Sequence, residues 1–154
     1  MEKLLLRTNS AIEDCERHLS ETQSMGTEIE SYLTQYLLVV LCADVQQELY
    51  RLAEARASIA NDQSLASFVA ASSRKVLRSV GKKEIASFVE MFGSECKNKL
   101  NGRVDEASVS MYSNAVGYRH DVAHKQGSSI SFRELKDAVR AAEHLLMATS
   151  EALW

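Results

Sequence analysis

Three observations predict an all-α fold. The chain has no proline, so nothing in it removes a helix-interior donor. Apolar residues recur every three to four positions, with no sustained period-two alternation that would read as strand. Two patterns mark helix starts, with Thr27 and Ser131 each followed three residues later by a glutamate, Glu30 and Glu134. With 154 residues and hydrophobic residues at 45%, the simplest organisation is a single domain over 1–154. The expected architecture is a single compact helical bundle of about five to six helices around one long central helix.

Leu5, Ile12, Cys15 and Leu19 form the apolar stripe of a first helix, and Gly26 separates it from the second. The second runs from a Thr27–Glu30 capping box to about Ala57 and is apolar nearly all round at Leu37–Ala43, as a central buried helix should be. Asn61-Asp62 breaks the pattern. Leu65, Phe68, Val69, Val76 and Val80 give a third stripe ending near Gly81. Ile85, Phe88, Val89, Phe92, Cys96 and Leu100 give a fourth, bent at Gly93, with Asn101-Gly102 as a turn signal. Asp105 or a neighbour caps a fifth helix that stops near Gly127. Ser131 opens a last one with Leu135, Ala138, Val139, Ala142, Leu145, Leu146 and Leu153 on one face.

Composition narrows the function classes. A net charge of −3 argues against coating nucleic acid by bulk electrostatics but leaves room for a local basic site. Cys15, Cys42 and Cys96 are odd in number and widely spaced, which reads as buried small residues in a reducing, cytoplasmic setting rather than a disulfide framework. No signal-peptide pattern is read over Met1–Arg7. The longest apolar run, Leu37–Ala43, is far too short for a bilayer, so no membrane association is expected. No P-loop, zinc-protease or serine-hydrolase motif occurs.

The most informative stretch is Arg119-His120-Asp121-Val122-Ala123-His124. On a helical wheel Arg119 falls amid an apolar face made by Tyr112, Ala115, Val116, Val122 and Ala123, where a solubilising arginine would not normally sit. Asp121 and Asn114 lie on the polar back. The second helix carries a matching oddity, since Asp44 and Glu48 project into the arc of Leu33, Leu37, Val40 and Leu41. Acids on an apolar arc need a partner, and Arg119 is a candidate, Glu48 having the longer reach. Histidine exchanges protons near neutral pH, and arginine grips phosphate through parallel hydrogen bonds. His18 and His144 are isolated and read as surface or satisfied-core residues. His120 and His124 could also share one helix face as zinc ligands, but no third ligand is nearby in sequence, and no metal or cofactor is expected.

The block resembles the R-x(4–6)-H signature of the HEPN superfamily. The stretch Ser73–Gly127 is similar to its Apea/RiboL-PSP-type branch through Arg74-Lys75-Val76-Leu77, the Phe92-Gly93 pair and Tyr118–His124, with Lys125-Gln126 intervening before Gly127. The resemblance implies a metal-independent endoribonuclease. His124 would serve as acid or base, Arg119 would bind the phosphate, and His120 would position the substrate. Asp44, Glu48, Asp121 and Tyr118 would support them. It also implies RNA as substrate and a homodimer that brings two motifs to one cleft. Arg74, Lys75, Arg78, Lys82, Lys83 and Lys125 are candidate RNA contacts, against the simpler reading of a solvated helix end. A toxin, phage-defence or stress role fits such an enzyme. The alternative is a silent binding or dimerisation module partnered by a cognate antitoxin or a nucleotidyltransferase.

Overall fold

The long helix that the sequence places at the centre is there. In the computed structural model, which describes residues 4–124 and 130–154 without the side chains of 120–124, the described residues form seven helices and no strand. They are α1 (Leu6–Glu21), α2 (Glu28–Ser58), α3 (Gln63–Val76), α4 (Lys82–Glu90), α5 (Ser94–Arg103), α6 (Glu106–His124) and α7 (Phe132–Leu153). At 31 residues, α2 is about 46 Å long. It packs against α1, α3, α6 and α7, while α7 also covers α5 and α6. Leu37, Leu38, Leu41, Val45 and Leu49 of α2 meet Leu135, Ala142, Leu145 and Leu146 of α7 in one core. None of the helices among the described residues is long and apolar enough to cross a membrane.

The helix count exceeds the expected five to six because the fourth stripe is two helices. Gly93 stands between them at φ 128°, a backbone conformation that side-chain-bearing residues rarely adopt. The Asn101-Gly102 signal, by contrast, makes no turn and lies in the last turn of α5. The third helix also ends early, at Val76 rather than near Gly81. Leu77 and Val80 are buried, so their apolar periodicity is real, but the chain between α3 and α4 is not helical. Its carbonyls are taken by side chains instead. Gln46 Nε2 and the Tyr50 hydroxyl both donate to the Leu77 carbonyl at 2.8 Å, and the Tyr112 hydroxyl donates to that of Val80.

The capping boxes divide. Around Ser131 the box is complete, with Glu134 N donating to Ser131 Oγ at 3.1 Å and Ser131 N to Glu134 Oε2 at 2.8 Å. At Thr27 only the glutamate half forms, and it reaches one residue further back, with Gly26 N donating to Glu30 Oε2 at 2.8 Å. Thr27 Oγ1 turns away and donates to the Ser24 carbonyl. Asp105 caps α6 as expected, accepting from Ser108 N at 2.8 Å.

α6 and α7 run antiparallel. Asp105, at the start of α6, meets His144 in the middle of α7 at 3.4 Å, whereas Tyr118, further along α6, shares a cleft with Glu134 and Asp137 near the start of α7. Near the end of α6, Tyr118 thus faces α7 while Arg119 faces α2.

Candidate functional site

α6 stays helical through His124, so the backbone of the whole motif lies on one helix. From Arg119 to His124 the rise is about 7.5 Å. Tyr112, Ala115 and Val116 are buried on the face that packs inward, as the wheel predicts. Arg119 is half-buried. Its guanidinium lies beside the Cys42 thiol on α2. Burial pushes the Cys42 thiol up from its ordinary value, and the charge of Arg119 pulls the other way without reversing it. A neutral thiol does not cancel a guanidinium charge. No carboxylate among the described residues pairs with Arg119, so none of them neutralises it.

The two acids on α2 therefore serve others, which corrects the expected pairing within the chain. Asp44 Oδ2 accepts from the backbone N–H of Thr8 at 3.0 Å and from its hydroxyl at 2.8 Å, tying α1 to α2. Glu48 Oε2 accepts from Arg51 Nε at 2.9 Å. The reason is angular. Glu48 stands six residues beyond Cys42, about 120° round the helix, so it cannot share the side of α2 that Arg119 touches. Both acids are half-buried rather than sunk in the apolar arc.

His120, Asp121 and His124 lie on the α6 backbone, but their side chains are outside the described residues, and Lys125 is outside altogether. Tyr118 is half-buried and lines the cleft between α6 and α7. His18 and His144 are both exposed.

The comparison with protein families then decides the matter, because the match runs over nearly the entire bundle. The model of the RiboL-PSP-HEPN family covers residues 4–154. The chain belongs to that family. No curated protein and no solved structure matches it. The family match extends the resemblance, seen in sequence only over Ser73–Gly127, to α1 and α2.

In this HEPN domain the basic residues do not form one patch. Arg74 is held by Glu54 at 2.7 Å and stacks over the Tyr50 ring, 5.2 Å from its centroid. Lys75 and Arg78 are exposed near the end of α3, where cations are favoured by the dipole. Lys82 and Lys83 instead begin α4, the end where a cation is disfavoured, so the dipole does not account for them. Lys82 donates to Asn101 Oδ1, and partial burial with Lys97 nearby lowers its pKa. It lines an open cleft of about 630 Å³ together with Ser110. Ser110 precedes Arg119 on α6 by nine residues, about 14 Å. Lys82, on α4, thus faces a part of α6 remote from Arg119.

Two features escaped the sequence reading. One is Cys42 as the neighbour of Arg119. The other is the polar cleft lined by Asn114, Tyr118, Glu134 and Asp137, whose signal was the spacing of two pairs, Asn114/Tyr118 and Glu134/Asp137, on helices that turn out to be adjacent. The cysteines also differ from the uniform expectation, since Cys15 and Cys42 are buried and Cys96 only half so. Under native conditions a thiol reagent should modify Cys96 first, with Cys15 and Cys42 reacting only on unfolding, because burial raises both of their pKa values. Mass mapping of a time course checks this, and early labelling of Cys42 would contradict the placement of Arg119 over it.

Proposed function

We propose that this HEPN domain is a metal-independent endoribonuclease that cleaves single-stranded RNA. The observation that carries the reading is Arg119, a half-buried arginine at the head of an R-x4-H motif, beside the Cys42 thiol and facing no described carboxylate. Its guanidinium would bind the scissile phosphate and stabilise the charge that builds on it. The RNA 2′-hydroxyl attacks the adjacent phosphorus, and the bond to the 5′-oxygen of the next nucleotide breaks. The products are a 2′,3′-cyclic phosphate and a 5′-hydroxyl. His124 moves protons in this step and His120 assists. Lys75, Arg78, Lys82 and Lys83 contact backbone phosphates away from the cut.

A homodimer belongs to the proposal. On α2, Ile29, Tyr32, Tyr36 and Val39 are exposed at helical spacing, and the last of them, Val39, lies about 60° round the helix from Cys42 and one turn before it. A second copy docked there would stand near Arg119 and could bring its own motif to the same cleft. A toxin or defence role, with a cognate antitoxin or a nucleotidyltransferase as partner, is in keeping with such an enzyme acting in the cytoplasm.

Purified protein should cleave single-stranded RNA in excess EDTA and leave 5′-hydroxyl ends that a kinase phosphorylates directly, opposite 3′ ends that resist ligation until the cyclic phosphate is opened and the resulting monophosphate removed. Cleavage that stops on chelation and returns with magnesium or zinc would refute the mechanism.

A further inference from the structure

Beside Arg119, one position back on α6, the chain builds a second feature that the cleavage chemistry does not use. Between α6 and α7 lies a cleft of about 120 Å³. Ala115 and Ile130, both buried, supply apolar lining. Met111, Tyr118, Asn114, Glu134 and Asp137 supply the rest.

The polar groups there are incompletely used. Among the described residues neither the Asn114 amide nor the Tyr118 hydroxyl has a hydrogen bond. Glu134 spends Oε2 on the α7 capping box at 2.8 Å, leaving Oε1. Asp137 spends Oδ1 on Arg140 at 3.2 Å, leaving Oδ2. The cleft therefore combines an aromatic ring, an apolar floor, an amide that can donate and accept, and two carboxylate oxygens that only accept.

A phosphate is the wrong ligand for this lining, because two carboxylates repel it. A nucleobase is the right one. Unpaired RNA bases are bound by stacking on aromatic side chains and by hydrogen bonds to their edges. The position also suits, since consecutive residues on a helix diverge by about 100°. A nucleotide whose phosphate rests on Arg119 has its base directed to one flank of that residue, and Tyr118 marks the flank that opens into the cleft.

We propose that this cleft is a base-recognition subsite that receives a nucleobase next to the scissile phosphate and selects guanine. The inference rests on the ribonuclease reading. Carboxylate acceptors match bases that present donors. Guanine offers adjacent N1–H and N2–H groups, which one carboxylate can accept together. Cytosine and adenine offer an exocyclic amine. Uracil has no exocyclic amine, and its one edge donor, N3–H, sits between two carbonyl oxygens that would face the carboxylates, so it ranks last.

Two measurements on the full chain test this, and the first does not depend on cleavage. In equilibrium dialysis, guanosine should bind at least about tenfold more tightly than uridine. Asp137→Asn and Asn114→Ala should each weaken guanosine binding several-fold without changing the melting temperature appreciably, since Asn114 is exposed and Asp137 half-exposed. In the second, cut sites are mapped on a mixed-sequence RNA. Wild-type cuts should cluster beside guanine, and Asp137→Asn should spread them over other bases. Equal binding of the two nucleosides, or guanosine binding untouched by both substitutions, overturns the subsite. So does cleavage with no base preference. Guanosine binding that obeys these rules in a protein that never cuts RNA supports the subsite and removes the ribonuclease reading.

Discussion

Arg119→Ala and His124→Ala should each nearly abolish RNA cleavage while leaving the helical circular dichroism intact. The expected losses differ in origin. Removing a positioned acid or base costs about 10²–10⁴-fold in rate. Removing a preorganised group that stabilises developing charge costs about 10²–10³-fold. Arg119→Lys separates charge from geometry. A lysine keeps the cation but has neither the planar fork that grips two phosphate oxygens nor the reach to rest on Cys42 while doing so. It should recover part of the phosphate affinity and little of the rate. Folding should survive Arg119→Ala because the side chain is only half-buried and its described partner is a neutral thiol, so its loss leaves no buried charge unpaired. Wild-type activity in His124→Ala would assign the cleavage to a contaminant. Arg119→Ala that cleaves normally would remove the residue on which the reading depends.

What the sequence disclosed and what it hid have physical causes. Helical periodicity is set by which side chains face the core, so α1, α2, α6 and α7 were readable. The same signal failed between α3 and α4, where Leu77 and Val80 are buried from a non-helical backbone. Periodicity reports burial and not the hydrogen bonding of the main chain. There the main chain is satisfied by Gln46, Tyr50 and Tyr112, residues from distant parts of the sequence. Gly93 was visible as a bend and not as a break, because its positive φ is a property of the folded turn. The motif carrying Arg119 could be found from its residues alone. Its neighbour could not, since Cys42 in sequence is one more small residue in an apolar run. The thiol becomes relevant only once the register of α2 against α6 is fixed. The same register sends Glu48 to Arg51 and Asp44 to Thr8.

Tyr112 should be the most costly single residue to alter in the scaffold behind the motif. It is fully buried, it sits two turns before Arg119 on α6, and its hydroxyl donates to the Val80 carbonyl in the chain that joins α3 to α4. Tyr112→Ala removes a large core side chain and should cost about 3–5 kcal/mol. Tyr112→Phe keeps the ring but leaves the Val80 carbonyl without this donor, at a cost of about 1–3 kcal/mol. For a chain of this size that is a fall of roughly 2–12 °C in melting temperature. The pH dependence gives a second, independent readout. Burial, with Cys42 and Glu84 adding to it, drives the Tyr112 phenol far above its ordinary value. The folded state therefore holds the proton at a pH where the unfolded chain, with a phenol pKa of about 10, has lost it. The stabilisation is whole below about pH 10 and declines as pH rises beyond it, since only the unfolded state gains by ionising. Urea unfolding of the wild type between pH 8 and about 11 should show this alkaline decline. In Tyr112→Phe the starting stability should be lower and the decline shallower, because the group responsible is gone. Parallel curves for the two proteins would mean that the Tyr112 phenol ionises as freely in the fold as out of it, which its burial against Val80 does not allow.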